Sequence, residues 1–237
     1  MPEAQPQIAG PEEVPRPTPL FEAAVVASLA LAVFCLLLFG WLGREVLTGD
    51  TVRFDNAIRS WVHRFASSGM TGAMKAVSLL GYEILLAEVI ISLIVFARLR
   101  WKRAAIWLLI TMIGSVLLDA VLKYFYHRVR PAPFFGSDAH FYSFPSGHAL
   151  SSLCFYGVMA GLLSARIKSL RWRIAIWMLA ALLVIAIGMS RIYLGVHYPS
   201  DVLAGYLAAT VWVGAVIVLD HVRKVRRSSK QVAIILN

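Results

Sequence analysis

Three cations, two histidines and a carboxylate recur in short strings between residues 123 and 201: Lys123 with Arg130-Pro131, Pro145-Ser146-Gly147-His148, and Ser190-Arg191 with His197 and Asp201. Together such groups can open a phosphate ester without a metal. Cations bind the anion, one imidazole attacks phosphorus, and a second protonates the departing oxygen. Lysine supplies a compact charge, and arginine grips two phosphate oxygens at once. Asp119, one turn before Lys123, can hold it as an i,i+4 pair. Ser146 can cap a helix start, and Gly147 lets backbone approach a ligand closely. The N–H groups and positive dipole end of that helix would face an anion. His197 and Asp201 stand four apart, with Pro199 marking where another helix begins. If the turn brings them together, Asp201 accepts the proton of one imidazole nitrogen and leaves the other free as a nucleophile. Taken singly, each string also fits a plainer role: a headgroup anchor, a capped helix with an interfacial histidine, a structural His/Asp cap.

The elements that must carry these residues are apolar. Of 237 residues, 59% are hydrophobic and only 15% charged, with a mean hydropathy of +0.72. A soluble domain is about 45–50% apolar and about 25% charged, so the bilayer is the expected solvent. Six stretches approach the roughly 20 residues needed to cross it, near 20–43, 76–97, 104–125, 148–165, 172–190 and 201–220. Helix is the spanning form for such runs, since a barrel would alternate over about ten residues. The expected fold is therefore all-α, a bundle of six transmembrane helices.

The net charge of +10 falls in short clusters between apolar runs. These clusters suit helix orientation and anionic headgroups better than nucleic acid, which is excluded as a partner. With six spans, the side holding both termini carries 14 Lys and Arg residues against 9 on the other. The positive-inside rule then places both termini in the cytoplasm and all three strings at the outer face. Residues 1–19 are Pro-rich and acidic, which reads as a disordered cytoplasmic tail instead of a signal peptide. Residues 221–237 form a basic cytoplasmic tail. The segment from Asp50 to Thr71 is too polar to cross. Its Ile58, Trp61, Val62 and Phe65 recur at helical spacing, fitting either an interfacial helix or a loop helix packed on the bundle. Cys35 and Cys154, in separate spans, read as packing residues.

The three strings together resemble the signature of the type 2 phosphatidic acid phosphatase (PAP2) superfamily. That signature reads lysine, six residues, Arg-Pro; Pro-Ser-Gly-His; and Ser-Arg, five residues, His, three residues, Asp, and Lys123 to Asp201 match it without departure. The resemblance covers roughly residues 20–220. It implies that His197 attacks phosphorus to form a phosphohistidine, with Asp201 orienting it. His148 would protonate the leaving oxygen and then activate water. Lys123, Arg130 and Arg191 would hold the phosphoryl oxygens, with Ser146 and the Gly147 amide completing the cradle. No metal or other cofactor is implied. Phosphatidic acid, phosphatidylglycerol phosphate, undecaprenyl diphosphate and lipid A phosphates are the implied substrates, the second and third ranked ahead by family analogy. A phosphotransferase using the same site, or a lipid or anion transporter with a basic mouth, are the rivals. A soluble haloperoxidase relative is disfavoured by the six spans.

Other polar residues read as lying outside the site. Glu83 and Glu88, within the second span, are read as structural pairs or protonated carboxyls. Gly157 and Gly161 form a GxxxG pattern compatible with close helix packing. His127, Asp138, His140 and Tyr142 are read as solvated loop residues, and Phe134, Phe135, Phe141 and Phe144 suggest a loop dipping into the outer interface.

Overall fold

The computed structural model describes residues 19–136 and 142–235, all of whose regular structure is helical. The helices are α1 (Pro19–Thr48), α2 (Val52–His63), α3 (Ser68–Leu79), α4 (Glu83–Arg98), α5 (Lys102–Tyr126), α6 (Gly147–Ser164), α7 (Leu170–Tyr193) and α8 (Pro199–Ile235). Six stretches are long and apolar enough to cross a bilayer. Only 17% of the most apolar window of α5 and 44% of that of α8 is buried inside the protein. Leu, Ile, Val and Phe side chains cover the outward faces instead, which is the arrangement a hydrocarbon solvent selects. The expected six-span bundle is the observed fold.

The least hydrophobic span holds the centre. Helix α6 buries Ala149, Leu150, Ser151, Ser152, Cys154, Phe155, Tyr156 and Ala160, and packs against α5, α7 and α8. Small residues let neighbouring backbones approach, and short hydroxyls satisfy themselves on the helix's own carbonyls. Ser151 Oγ donates to Gly147 O at 2.6 Å, and Ser152 Oγ to Ala149 O at 3.1 Å. Gly157 and Gly161 do not mark a tight crossing within the chain. A methyl group on either would meet nothing closer than 4.0 Å. The close approach is at Gly205 of α8, where a methyl group would lie 2.6 Å from Ser146 O and 2.9 Å from Ala149 Cβ. Cys35 and Cys154 are free and join one apolar cluster among α1, α6 and α8, as packing residues do.

The second span differs from expectation. It starts at Ser68, where Ser67 Oγ caps Met70 N at 3.2 Å, and it breaks at Leu80–Tyr82 between α3 and α4. Carbonyls released by the break are caught by α6: Ser151 Oγ lies 3.1 Å from Gly81 O and Tyr156 OH 3.1 Å from Leu80 O. Tyr156 OH also meets Glu88 Oε2 at 2.9 Å, so Glu88 has the structural pairing expected of it. Glu83 occupies the first turn of α4, where the helix dipole favours a carboxylate. Helix α2 packs on the bundle through Asp55, Arg59 and Val62, while Phe54 and Trp61, with Phe65 just beyond its end, point outward. Its buried face is the packing on the bundle that one of the two readings expects. Helix α8 runs past the sixth apolar stretch to Ile235, so the basic segment is helical through that residue.

The Gly205 contact generates a test. Gly205→Ala forces the start of α6 away from α8 and should cost about 1–3 kcal/mol, read as a lower melting temperature of the detergent-solubilised protein. An unchanged melting temperature would contradict this packing.

Candidate active site

Four helix ends meet at one end of the bundle: the C-termini of α5 and α7, bearing Lys123 and Arg191, and the N-termini of α6 and α8, bearing His148 and Asp201. Backbone bonds fasten the three strings to one another. Ser146 N donates to Asp201 O at 2.9 Å, Ser143 N to Arg128 O at 2.8 Å and Phe134 N to Leu194 O at 3.2 Å. Gly195 permits the last of these. Its φ of +76° is left-handed, and a side chain there would strike Phe134 N at 2.7 Å.

His197 is buried among Arg130, Asp201 and the Ser143 backbone, which also hydrogen-bonds the ring. Arg130 Nη1 lies 3.0 Å from its Nε2 and also donates to Val196 O at 2.9 Å. A guanidinium can only donate, so Nε2 is the acceptor and the ring proton resides on Nδ1. Nδ1 faces Asp201 Oδ2 at 3.4 Å, near the outer limit of a hydrogen bond. Burial lowers the His197 pKa well below the usual imidazole range, and Arg130, Arg191 and Lys123 push it further down. The result is a neutral ring with its lone pair on Nε2, the form a nucleophile needs.

The remaining strings supply charge and unpaired polar atoms. Lys123 Nζ bonds Asp119 Oδ2 at 2.6 Å, the pair anticipated from their spacing. Arg191 Nη1 donates to Ser78 Oγ of α3. The His148 ring stacks on Tyr82 with centroids 5.5 Å apart. Among the described residues seven buried side-chain polar atoms lack a partner, and four belong here: Ser146 Oγ, His148 Nε2, Arg191 Nε and Asp119 Oδ1. Buried polar atoms are ordinarily satisfied, so this concentration marks a place built to receive a polar group. No three His, Cys, Asp or Glu side chains converge as metal ligands among the described residues.

One expectation needs correction. Ser146 occupies the N-cap position of α6 but makes no side-chain cap bond, its Oγ being one of the unpaired atoms. At Gly147 the Asp119 carboxylate stands 3.0 Å from where a methyl group would sit, so a side chain there would press on it. Of the loop residues, His127 sits at the left-handed C-cap of α5 and packs on Tyr124 and Tyr142, outside the site. Phe134 and Phe135 stack on His63 and Tyr193. Phe144 is fully buried in the core against Phe39 and Tyr126, not at an interface, because Ser143 and Pro145 on either side are buried too. Asp138, His140 and Phe141 lie outside the described residues.

Sequence reasoning missed Asp55, Arg128, Ser200 and Ser78. Arg128 Nη1 donates to Asp201 Oδ1 at 2.6 Å and Nη2 to Asp55 Oδ2 at 2.7 Å. Burial disfavours the Arg128 charge, but Asp201 and Asp55 outweigh it and hold the guanidinium above its usual pKa. Arg128 stands two residues from Arg130, and Asp55 and Arg59 share a stripe with Val62. Those spacings were the available signals.

The sequence model of the PAP2 superfamily matches residues 104–224, and the chain belongs to that family. It is 29% identical to phosphatidylglycerophosphatase B of Bacillus subtilis (strain 168) over 180 residues, covering 73% of this chain and 87% of that protein. It is 31% identical to undecaprenyl-diphosphatase of Sulfolobus acidocaldarius over 150 residues, covering 61% of this chain and 67% of that protein. The crystal structure of a transmembrane PAP2-type phosphatidylglycerolphosphate phosphatase from Bacillus subtilis superposes with a TM-score of 0.73 at 28% identity, covering 80% of this chain and 96% of that one. Aquifex aeolicus LpxE shares the fold, with a TM-score of 0.57 at 22% identity over 69% of this chain and 94% of that one. The chain is thus a membrane PAP2 protein, and its named relatives are phosphatases.

The neutrality of His197 is directly measurable. As pH falls through about 6.5, an unfolded chain takes the proton first while the native ring stays uncharged, so native stability declines on the acid side. In 15N-histidine-labelled protein at pH 5.5, one ring should remain neutral with its proton on Nδ1, and His197→Gln should remove that signal. A protonated ring at that pH would contradict the assignment.

Proposed function

We propose that this chain is an integral membrane lipid phosphatase, hydrolysing a lipid phosphate or diphosphate monoester at the outer membrane face through a phosphohistidine on His197. The observation that carries the reading is the juxtaposition of His197 Nε2 with Arg130, beside the unpaired Ser146 Oγ, His148 Nε2 and Arg191 Nε. In the proposed reaction Arg130 shifts from Nε2 to a phosphoryl oxygen, and Lys123 and Arg191 add charge as the transition state spreads negative charge over the oxygens. Nε2 forms a bond to phosphorus as the P–O bond to the lipid breaks, and His148 gives its proton to the departing oxygen. His148 then takes a proton from water, whose oxygen displaces His197 and yields inorganic phosphate. Asp201 keeps the ring proton on Nδ1 throughout. The charges of this chain suffice for the anion without a metal.

Phosphatidylglycerol phosphate is the favoured substrate, because the relative and the crystal structure that cover most of this chain are named for it. Undecaprenyl diphosphate ranks next, ahead of lipid A phosphates and phosphatidic acid. The excess of Lys and Arg on the side of the termini, 14 against 9, supports cytoplasmic termini and an outward site in a cell membrane.

Purified protein in detergent with EDTA should release inorganic phosphate from one of these lipids. His197→Ala should abolish turnover and the acid-labile phosphoenzyme, and His148→Ala should slow it about 10²–10⁴-fold. Parental turnover in His197→Ala would overturn the mechanism. Transfer of labelled phosphate to a second lipid without release would make the protein a phosphotransferase.

A further inference from the structure

Helix α2 places Asp55 and Arg59 beneath the site. Asp55 is fully buried and satisfied: Oδ2 accepts from Arg128 Nη2 at 2.7 Å and Ser200 Oγ at 2.7 Å, and Oδ1 from Ser200 N at 3.0 Å. Thr51 Oγ1 takes a second bond from Arg128 Nη2 at 3.0 Å. The other end of the same guanidinium, Nη1, donates to Asp201 Oδ1 at 2.6 Å and Ser200 Oγ at 2.7 Å. Arg128 therefore joins two carboxylates that sit on different helices. Arg59 adds a second tie, its Nη2 donating to Ala132 O at 2.8 Å and Gly195 O at 3.3 Å, in the loops that carry Arg130 and His197.

The way Arg128 is shared matters. An arginine facing one carboxylate prefers the two-pronged pairing that engages both oxygens. Here Asp55 occupies Nη2, so Arg128 reaches only Oδ1 of Asp201. Oδ2 is left to Tyr198 N at 2.9 Å and to the His197 ring, and the Ser143 side chain also hydrogen-bonds the carboxylate. We propose that Asp55 is a positioning residue for the His197–Asp201 couple: by holding one nitrogen of Arg128 it keeps Asp201 Oδ2 turned toward His197 Nδ1. Helix α2 thereby belongs to the catalytic apparatus, although none of its residues reaches the reacting atoms. This inference rests on the phosphatase reading for its kinetics and on the geometry alone for its spectroscopy.

The test compares parental protein, Asp55→Asn, Arg128→Lys and their double variant, in one detergent and on one lipid phosphate. Asp55→Asn should lower kcat about 100-fold, as a misplaced catalytic group does, with KM changed less than about threefold. Arg128→Lys keeps the charge but cannot bridge both carboxylates, so it should lose as much. The double variant should be no slower than either single one, as residues acting as a unit are. Full kcat in Asp55→Asn, a loss confined to KM, or losses that multiply in the double variant would overturn the proposal. If Asp55→Asn is not monodisperse, Ser200→Ala removes the hydroxyl seating Asp55 without changing charge. It should cut kcat about tenfold at constant KM, and unchanged kcat there overturns the proposal equally. The 15N resonance of His197 Nδ1 provides the separate arm. It should shift in Asp55→Asn whether or not the parental protein releases phosphate, and an unmoved resonance would overturn the positioning role alone.

Discussion

Cations gathered beside an imidazole set the terms for this site. Arg130, Arg191 and Lys123 all disfavour a proton on His197, and burial acts in the same direction. A ring in that field stays neutral, and a guanidinium aimed at Nε2 leaves only Nδ1 for its proton. In the proposed reaction, the nucleophile's tautomer and the affinity for the anion thus follow from one electrostatic arrangement. The same arrangement is costly, since three cations are held in a largely buried region. Asp119 and Asp201 offset part of that cost, and each sits where it also orients a working group: Asp119 on Lys123 and Asp201 on His197.

The membrane explains why such a cluster lies at helix ends. Within the hydrocarbon every backbone group is satisfied by helix, and ionised side chains are costly. Polar chemistry therefore concentrates where helices start and stop. Four ends deliver the cluster, and α6 must be thin enough for α5, α7 and α8 to reach it together. Serine, glycine and alanine make it thin, at the expense of hydropathy. That trade explains why the least apolar span, at a mean hydropathy of 1.2, lies at the centre. The break at Gly81 serves the same end: its freed carbonyls bond the hydroxyls of α6, and the α3 it terminates carries the serine that takes Arg191.

What could be read from the chain divides along this physical line. Spans were legible because a run of some twenty apolar residues has one solution in a bilayer. Lys123, Arg130, His148, Arg191, His197 and Asp201 were legible because each lies in a short string, and the three strings together match the PAP2 signature. Asp55 and Arg128 were not, because their meaning arises only when α2 packs against the start of α8, 145 residues away. Ser146 and Gly147 were legible as positions but not in their contacts. A cap bond is a generic role for serine, whereas here Ser146 Oγ stays unpaired, and the Asp119 carboxylate beside Gly147 has no counterpart in the local sequence. The start of the second span was displaced for a similar reason. Ser67 caps a helix that runs unbroken to Leu79, and polar residues near it obscured the join.

Asp119 bears on how the site can turn over. A cradle of three unopposed cations would bind a phosphate ester, the transition state and free phosphate alike, and uniform binding does not accelerate chemistry. With Asp119 bonded to Lys123, an arriving dianion must compete for that lysine, and the carboxylate repels a group lodged too close to Gly147. In the proposed reaction this contest disfavours ground state and product more than the transition state, in which charge spreads over the phosphoryl oxygens. In the proposed reaction the carboxylate beside the cradle favours release of phosphate, the one product that would otherwise fit every cation at once.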